Sequence, residues 1–118
     1  MEKSITFMAE DAFSGPFWDE EGTDIGDCES FFIDDVEYDV TSLCGLKEWF
    51  LQANKFDPYT DVGTFTNKGR EEWVNQGYEY VKLLRKMIPK NIALYYGFWH
   101  QFGDGYWRYC KAYIAYKF

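Results

Sequence analysis

Hydrophobic positions alternate near both ends of this 118-residue chain and recur at helical spacing in its middle, a pattern that predicts strands flanking helices. Ile5, Phe7 and Ala9 alternate with polar neighbours, so Ser4 to Met8 reads as a short strand. Phe13 to Glu29 carries Gly15, Pro16, Gly22, Gly26 and many carboxylates, and is expected to be a loop that Phe17, Trp18 and Ile25 anchor to the body. Phe31-Phe32-Ile33 and Val36-Glu37-Tyr38-Asp39-Val40 flank the polar pair Asp34-Asp35. That arrangement predicts a hairpin, or a strand entering a turn, without the glycine that usually marks one.

Leu43, Leu46, Trp49, Phe50 and Ala53 then fall at helical spacing. They predict a helix over roughly 43 to 55, capped by Thr41 or Ser42 and stopped by Asp57-Pro58. After a polar connection, Thr66 or Asn67 can cap a second helix that runs toward Ile88, where Pro89 ends it. Trp73, Gly77, Tyr80, Val81, Leu84, Met87 and Ile88 form its apolar stripe, leaving Arg70, Glu71, Glu72, Glu79, Lys82, Arg85 and Lys86 to solvent. Its acids lie early and its bases late, as the helix dipole favours. Ile92 to Gln101 and Tyr106 to Tyr116 are extended-type runs around Gly103-Asp104-Gly105, although Lys111-Ala112-Tyr113 also fits a helix. The sum is one α+β domain over residues 1–118, a mainly antiparallel sheet with two helices packed on one face.

Composition supports one well-filled core: 47% of residues are hydrophobic, with eleven Phe, ten Tyr and five Trp. The net charge of −8 and a pI near 4.5 argue against direct nucleic-acid binding or an anionic membrane surface, because both demand a positive track. The charge is also divided along the chain. Residues 1–61 hold sixteen acids and three bases, whereas residues 62–118 hold four acids and nine bases. Cys28, Cys44 and Cys110 are odd in number and match no zinc or redox spacing, which points to a reduced compartment. With no basic, apolar leader and no run of about 18 apolar residues, a cytoplasmic protein is expected.

Glu10 to Asp39 contains twelve Asp or Glu, no Lys or Arg, and nine aromatic, Ile or Val residues. Such a segment has two readings, a solvated face that maintains solubility or a surface that steers a basic partner and anchors it with aromatics. Twelve like charges in thirty residues repel one another, and that cost favours recognition. A calcium loop starting at Asp19 fails, since its sixth residue is Asp24 rather than Gly and its twelfth is Ser30 rather than Glu. Paired carboxylates serve as acid and base in glycoside hydrolysis, yet the sequence singles out no pair. His100 has no nucleophile signature around any cysteine and reads first as a strand residue. The aromatics near Lys90, Arg108, Lys111 and Lys117 read first as core rather than as a base-stacking platform. No catalytic residue, metal site or cofactor is expected.

Pro16-Phe17-Trp18-Asp19-Glu20-Glu21-Gly22 followed by Asp24-Ile25, a Trp49-bearing helix, Gly69 and a long helix ending at Pro89, and a strand from Ile92 to Tyr96 together resemble bacterial immunity proteins. These proteins neutralise the toxin domains of contact-dependent growth inhibition and other polymorphic toxin systems. The resemblance covers about residues 14 to 96, and residues 97–118 lie outside it. It implies a non-enzyme that binds a cognate toxin, often a nuclease, by covering its basic active cleft. The expected interface comprises Asp11, Asp19, Glu20, Glu21, Asp24, Asp27, Glu29, Asp34, Asp35, Glu37 and Asp39, with Phe17 and Trp18 as apolar anchors. The alternatives are a nucleic-acid-mimicking inhibitor of another DNA- or RNA-binding protein and, from a different class, a carboxylate-using hydrolase or calcium module. The sequence leaves the oligomeric state open.

Overall fold

The computed structural model describes residues 3–9, 14–52, 67–101 and 107–114. Its elements are β1 (Ser4–Phe7), β2 (Phe17–Trp18), β3 (Asp24–Gly26), β4 (Ser30–Ile33), β5 (Val36–Asp39), α1 (Leu46–Leu51), α2 (Asn67–Met87), β6 (Ala93–Gln101) and β7 (Trp107–Tyr113). Among the described residues, seven strands form one sheet in the order β5-β4-β3-β2-β1-β6-β7. The β1–β6 pair is parallel and every other pair antiparallel. Both helices cover the same face, so the α+β architecture is the one expected.

Alternation sorts the side chains. Ile5, Phe7, Phe17, Phe31, Ile33, Leu94 and Tyr96 point toward the helices and are buried. Phe17 and Phe31 stack with centroids 4.4 Å apart, and Phe31 stacks in turn on Tyr38 at 5.1 Å. Gly26 pairs with both Phe17 and Phe31 and carries no side chain, which lets the two rings close over it. From α1, Trp49 stacks on Phe7 at 5.3 Å; from α2, Tyr80 meets the same ring edge-on. Tyr96 reaches under α2 and donates its hydroxyl to Val74 O at 2.9 Å.

Three expectations about the elements need correction. The segment 13–29 is no plain loop, because β2 and β3 lie within it as short strands of the sheet. Their carboxylates do not disrupt them; the aspartates bond the backbone of the intervening turns. The first helix begins at Leu46, not at 43: Thr41 to Gly45 form turns, and Gly45 precedes the helix at φ +76°, which a residue with a side chain rarely adopts. Arg85 is buried at 4% exposure instead of facing solvent. Its Nη2 donates to Ile88 O and Pro89 O, closing the C-terminal end of α2 as a cation there should.

The two-residue turn at Asp34-Asp35 makes a hairpin without glycine. Both residues hold positive φ, +49° and +66°, a conformation that Asp tolerates better than most side chains. Residues 53–55 of the first expected helix, Thr66, the turn at Gly103-Asp104-Gly105 and the segment 115–116 fall outside the described residues. No helix among the described residues is long and apolar enough to cross a membrane.

Candidate functional site

The strand order carries the sequence's charge asymmetry into space. Residues 17–39 form the meander β2–β5, which occupies one half of the sheet and ends at its edge, while β6 and β7 form the other half. On that second half Lys111 lies 4.3 Å over the ring of Tyr95. Two bases of α2 have local partners: Lys82 bonds Glu79 of its own helix, and Arg85 bonds backbone carbonyls.

Within the meander the acids divide by what they bond. Four aspartates fasten turns. Asp19 Oδ1 accepts the N–H groups of Glu21 and Thr23, both at 2.9 Å. Asp27 Oδ1 accepts those of Glu29 and Ser30. Asp24 bonds Gly15 N through one oxygen and Gly26 N through the other. Asp39 Oδ1 accepts both the N–H and the hydroxyl of Thr41, at 2.8 and 2.6 Å, and these bonds hold its carboxyl below the usual 3.8. Asp34 takes the ammonium of Lys3, which raises that lysine's pKa. Glu20, Glu21, Glu29, Asp35 and Glu37 have carboxylates that bond no group among the described residues, and all but the half-buried Glu20 are exposed. Asp11 lies outside the described residues.

The acids also divide by position. The turns at 19–23 and 34–35 sit at one end of the meander, whereas Asp27, Glu29 and Asp39 sit at the other, roughly 10–13 Å away along four-residue strands. The expected single acidic patch is therefore two groups. The first, Asp19, Glu20, Glu21, Asp34 and Asp35, adjoins a hollow of about 150 Å³ lined by residues that include Lys3, Asp19, Glu20, Ile25, Phe32 and Asp34.

Phe17 is not a surface anchor. It is 0% exposed and belongs to the core ladder, because its β2 position faces the helices. Trp18 faces the opposite side and is half-buried, its indole N–H bound to Met8 O at 2.9 Å. The aromatic that the surface does present is Phe32, 49% exposed and paired across strands with Glu37. The signal for it was present in the sequence: Phe32 is the middle of three apolar residues in a strand, so it must point away from Phe31 and Ile33. Val36, at 53% exposure, adds apolar surface at the edge.

Among the described residues, no group of three or more His, Cys, Asp or Glu is placed to hold a metal ion. Cys28 is half-buried and its thiol is pushed up to about 11, chiefly by burial and then by Asp27, the opposite of an activated nucleophile. The side chains of His100 and Cys110 lie outside the described residues. No protein-family model matches this chain, and neither curated proteins nor solved structures provide a match.

Proposed function

We propose that this protein is a cytoplasmic immunity protein, a non-enzyme that neutralises a cognate toxin by docking an acidic surface over the toxin's basic cleft. The observation that carries the reading is the exposed ring of Phe32 beside the carboxylates of Glu20, Asp34 and Glu37. An apolar centre within a charged rim is the usual anatomy of a tight protein interface, and its central aromatic typically contributes about 2 kcal/mol or more. Like charges gathered on one half of the sheet steer a cationic partner and speed its association. A nuclease must be basic where it holds phosphate, which makes its cleft a fitting target.

Two sets of acids have separate tasks in this reading. Glu20, Glu21, Asp35 and Glu37 face the partner, while Asp19, Asp24, Asp27 and Asp39 hold the turns that display them. The test is affinity capture from source cells at low salt, release at high salt, and expression of the released protein with and without this chain. Growth arrest relieved by co-expression is the expected result. A captured partner that harms no cell, or whose capture survives reversal of Glu20, Glu21 and Glu37 to Lys, would sink the proposal.

A further inference from the structure

Among the described residues the sheet ends at β5. Val40 N donates to Glu29 O at 2.9 Å, and the register pairs Tyr38 with Phe31 and Val36 with Ile33. In an antiparallel ladder alternate residues bond the neighbouring strand, so Val36, Tyr38 and Val40 direct their backbone groups toward β4 and its extension. Glu37 and Asp39 therefore direct their N–H and C=O groups away from the sheet. Val36, Glu37 and Asp39 are all exposed along this edge.

We infer that β5 is a docking edge that takes an extended, basic segment of the partner as an added strand. This rests on the proposed inhibitor function and specifies how the partner is held. Charge complementarity selects the occupant: on the outer face the incoming strand meets Glu37 and Asp39, and at the turn it passes Asp35. A second copy of β5 would set those carboxylates against their own kind, which disfavours self-pairing. On the helix-facing side the new strand covers Val36, whose apolar surface β4 leaves half open. The predicted partner sequence alternates Lys or Arg with apolar residues over about four to six positions.

A Lys-Val-Lys-Val-Lys-Val peptide, acetylated and amidated, is the probe. Its controls have the same sequence with alternate backbone nitrogens methylated, in both possible phases, so that charge and side chains stay while the donors toward β5 are removed in one phase and those facing away from it in the other. The expected result is slowed amide exchange at Glu37 and Asp39 on binding, with affinity reduced about tenfold by one methylation phase and little by the other. Equal binding by all three peptides overturns strand addition, as does protection elsewhere than β5 or no binding at all. The two readings separate cleanly: a captured toxin that still binds through Glu20 and Glu21 while leaving Glu37 and Asp39 amides unprotected removes the added strand and keeps the inhibitor.

Discussion

Trp49 and Trp73 exchange hydrogen bonds, each indole N–H donating to the other residue's backbone carbonyl at 2.7 and 2.8 Å, with the rings stacked 4.5 Å apart. α1 has only six residues, too few to persist alone in water, so its position depends on this double link and on the burial of Leu46 and Phe50. Trp49→Phe removes one donor and part of a buried ring. We expect a loss of about 2–4 kcal/mol, read as a lower urea midpoint with unchanged slope. An unchanged midpoint would show that α1 is held by other contacts.

Gly77 sets two effects of opposite sign against each other. In a helix interior Ala is better than Gly by about 1 kcal/mol, so Gly77→Ala would stabilise an open site. Here a Cβ would lie 2.0 Å from Tyr96 Oη, 2.5 Å from Tyr96 Cζ and 2.8 Å from Trp49 Cζ2. Tyr96 is fully buried and tied to Val74, so the ring nearest the new methyl is held in place. Overpacking wins, and the variant should lose about 1–3 kcal/mol. Adding Tyr96→Phe, which removes the nearest atom, should recover part of that loss in a double-mutant cycle; strict additivity would contradict the steric account.

The helix α2 was legible because its stripe runs over about four turns, and all its predicted core positions except half-buried Met87 are buried. Its error among the described side chains, Arg85, shows why periodicity assigns a face but not a capping role: a long cationic side chain can fold back to the carbonyls that end its own helix. β2 and β3 were hidden for a different reason. Two- and three-residue strands carry too little alternation to register, and their neighbouring aspartates look like solvated charge until Asp19, Asp24 and Asp27 are seen to bond the turns. The acidity of the candidate surface was readable from sequence. Its division into turn-fastening aspartates and the outward Glu20, Glu21, Asp35 and Glu37 required the register, whereas the exposure of Phe32 was already implied by its place between Phe31 and Ile33 in a strand.

Cys28 and Cys44 should differ in reactivity. With its thiol pushed up to about 11, Cys28 is only roughly one part in a thousand thiolate at pH 8, and it is half shielded as well. Cys44 is exposed, its Sγ donating to Ser42 O at 3.8 Å. Iodoacetamide at pH 8 followed by peptide mapping should label Cys44 well before Cys28, and the Cys28 rate should climb as pH approaches 11. Equal rates at pH 8 would mean that the pocket around Cys28 opens readily.

Asp39 gives the acid limb of stability a defined contribution. Its folded pKa lies below the ordinary 3.8, first because the Thr41 hydroxyl and then because the Thr41 N–H bonds the carboxylate. The contribution is therefore fully present above that ordinary value and is lost as pH falls through the lower, folded one. Thr41→Val deletes the hydroxyl donor and keeps the amide. NMR titration of the Asp39 carboxyl carbon should show its midpoint moving up toward 3.8, and no movement would assign the depression to the backbone amide alone.

Phe17 and Phe32 provide the sharpest separation of core from surface, since both are phenylalanines on neighbouring parts of one sheet. Phe17 is enclosed between Phe7 and Phe31, at 5.5 and 4.4 Å, and truncation to Ala should cost about 3–5 kcal/mol. Phe32 is 49% exposed, so Phe32→Ala should change stability by about 1 kcal/mol or less. If Phe32 is the anchor of an acidic docking surface, the same variant should weaken partner binding by at least about 2 kcal/mol while leaving the salt dependence intact, because the carboxylates that set that dependence remain. Urea denaturation of both variants measures the first contrast, and salt-dependent binding of Phe32→Ala measures the second. A large stability loss at Phe32 would make it a misplaced core residue and leave the surface without an apolar centre.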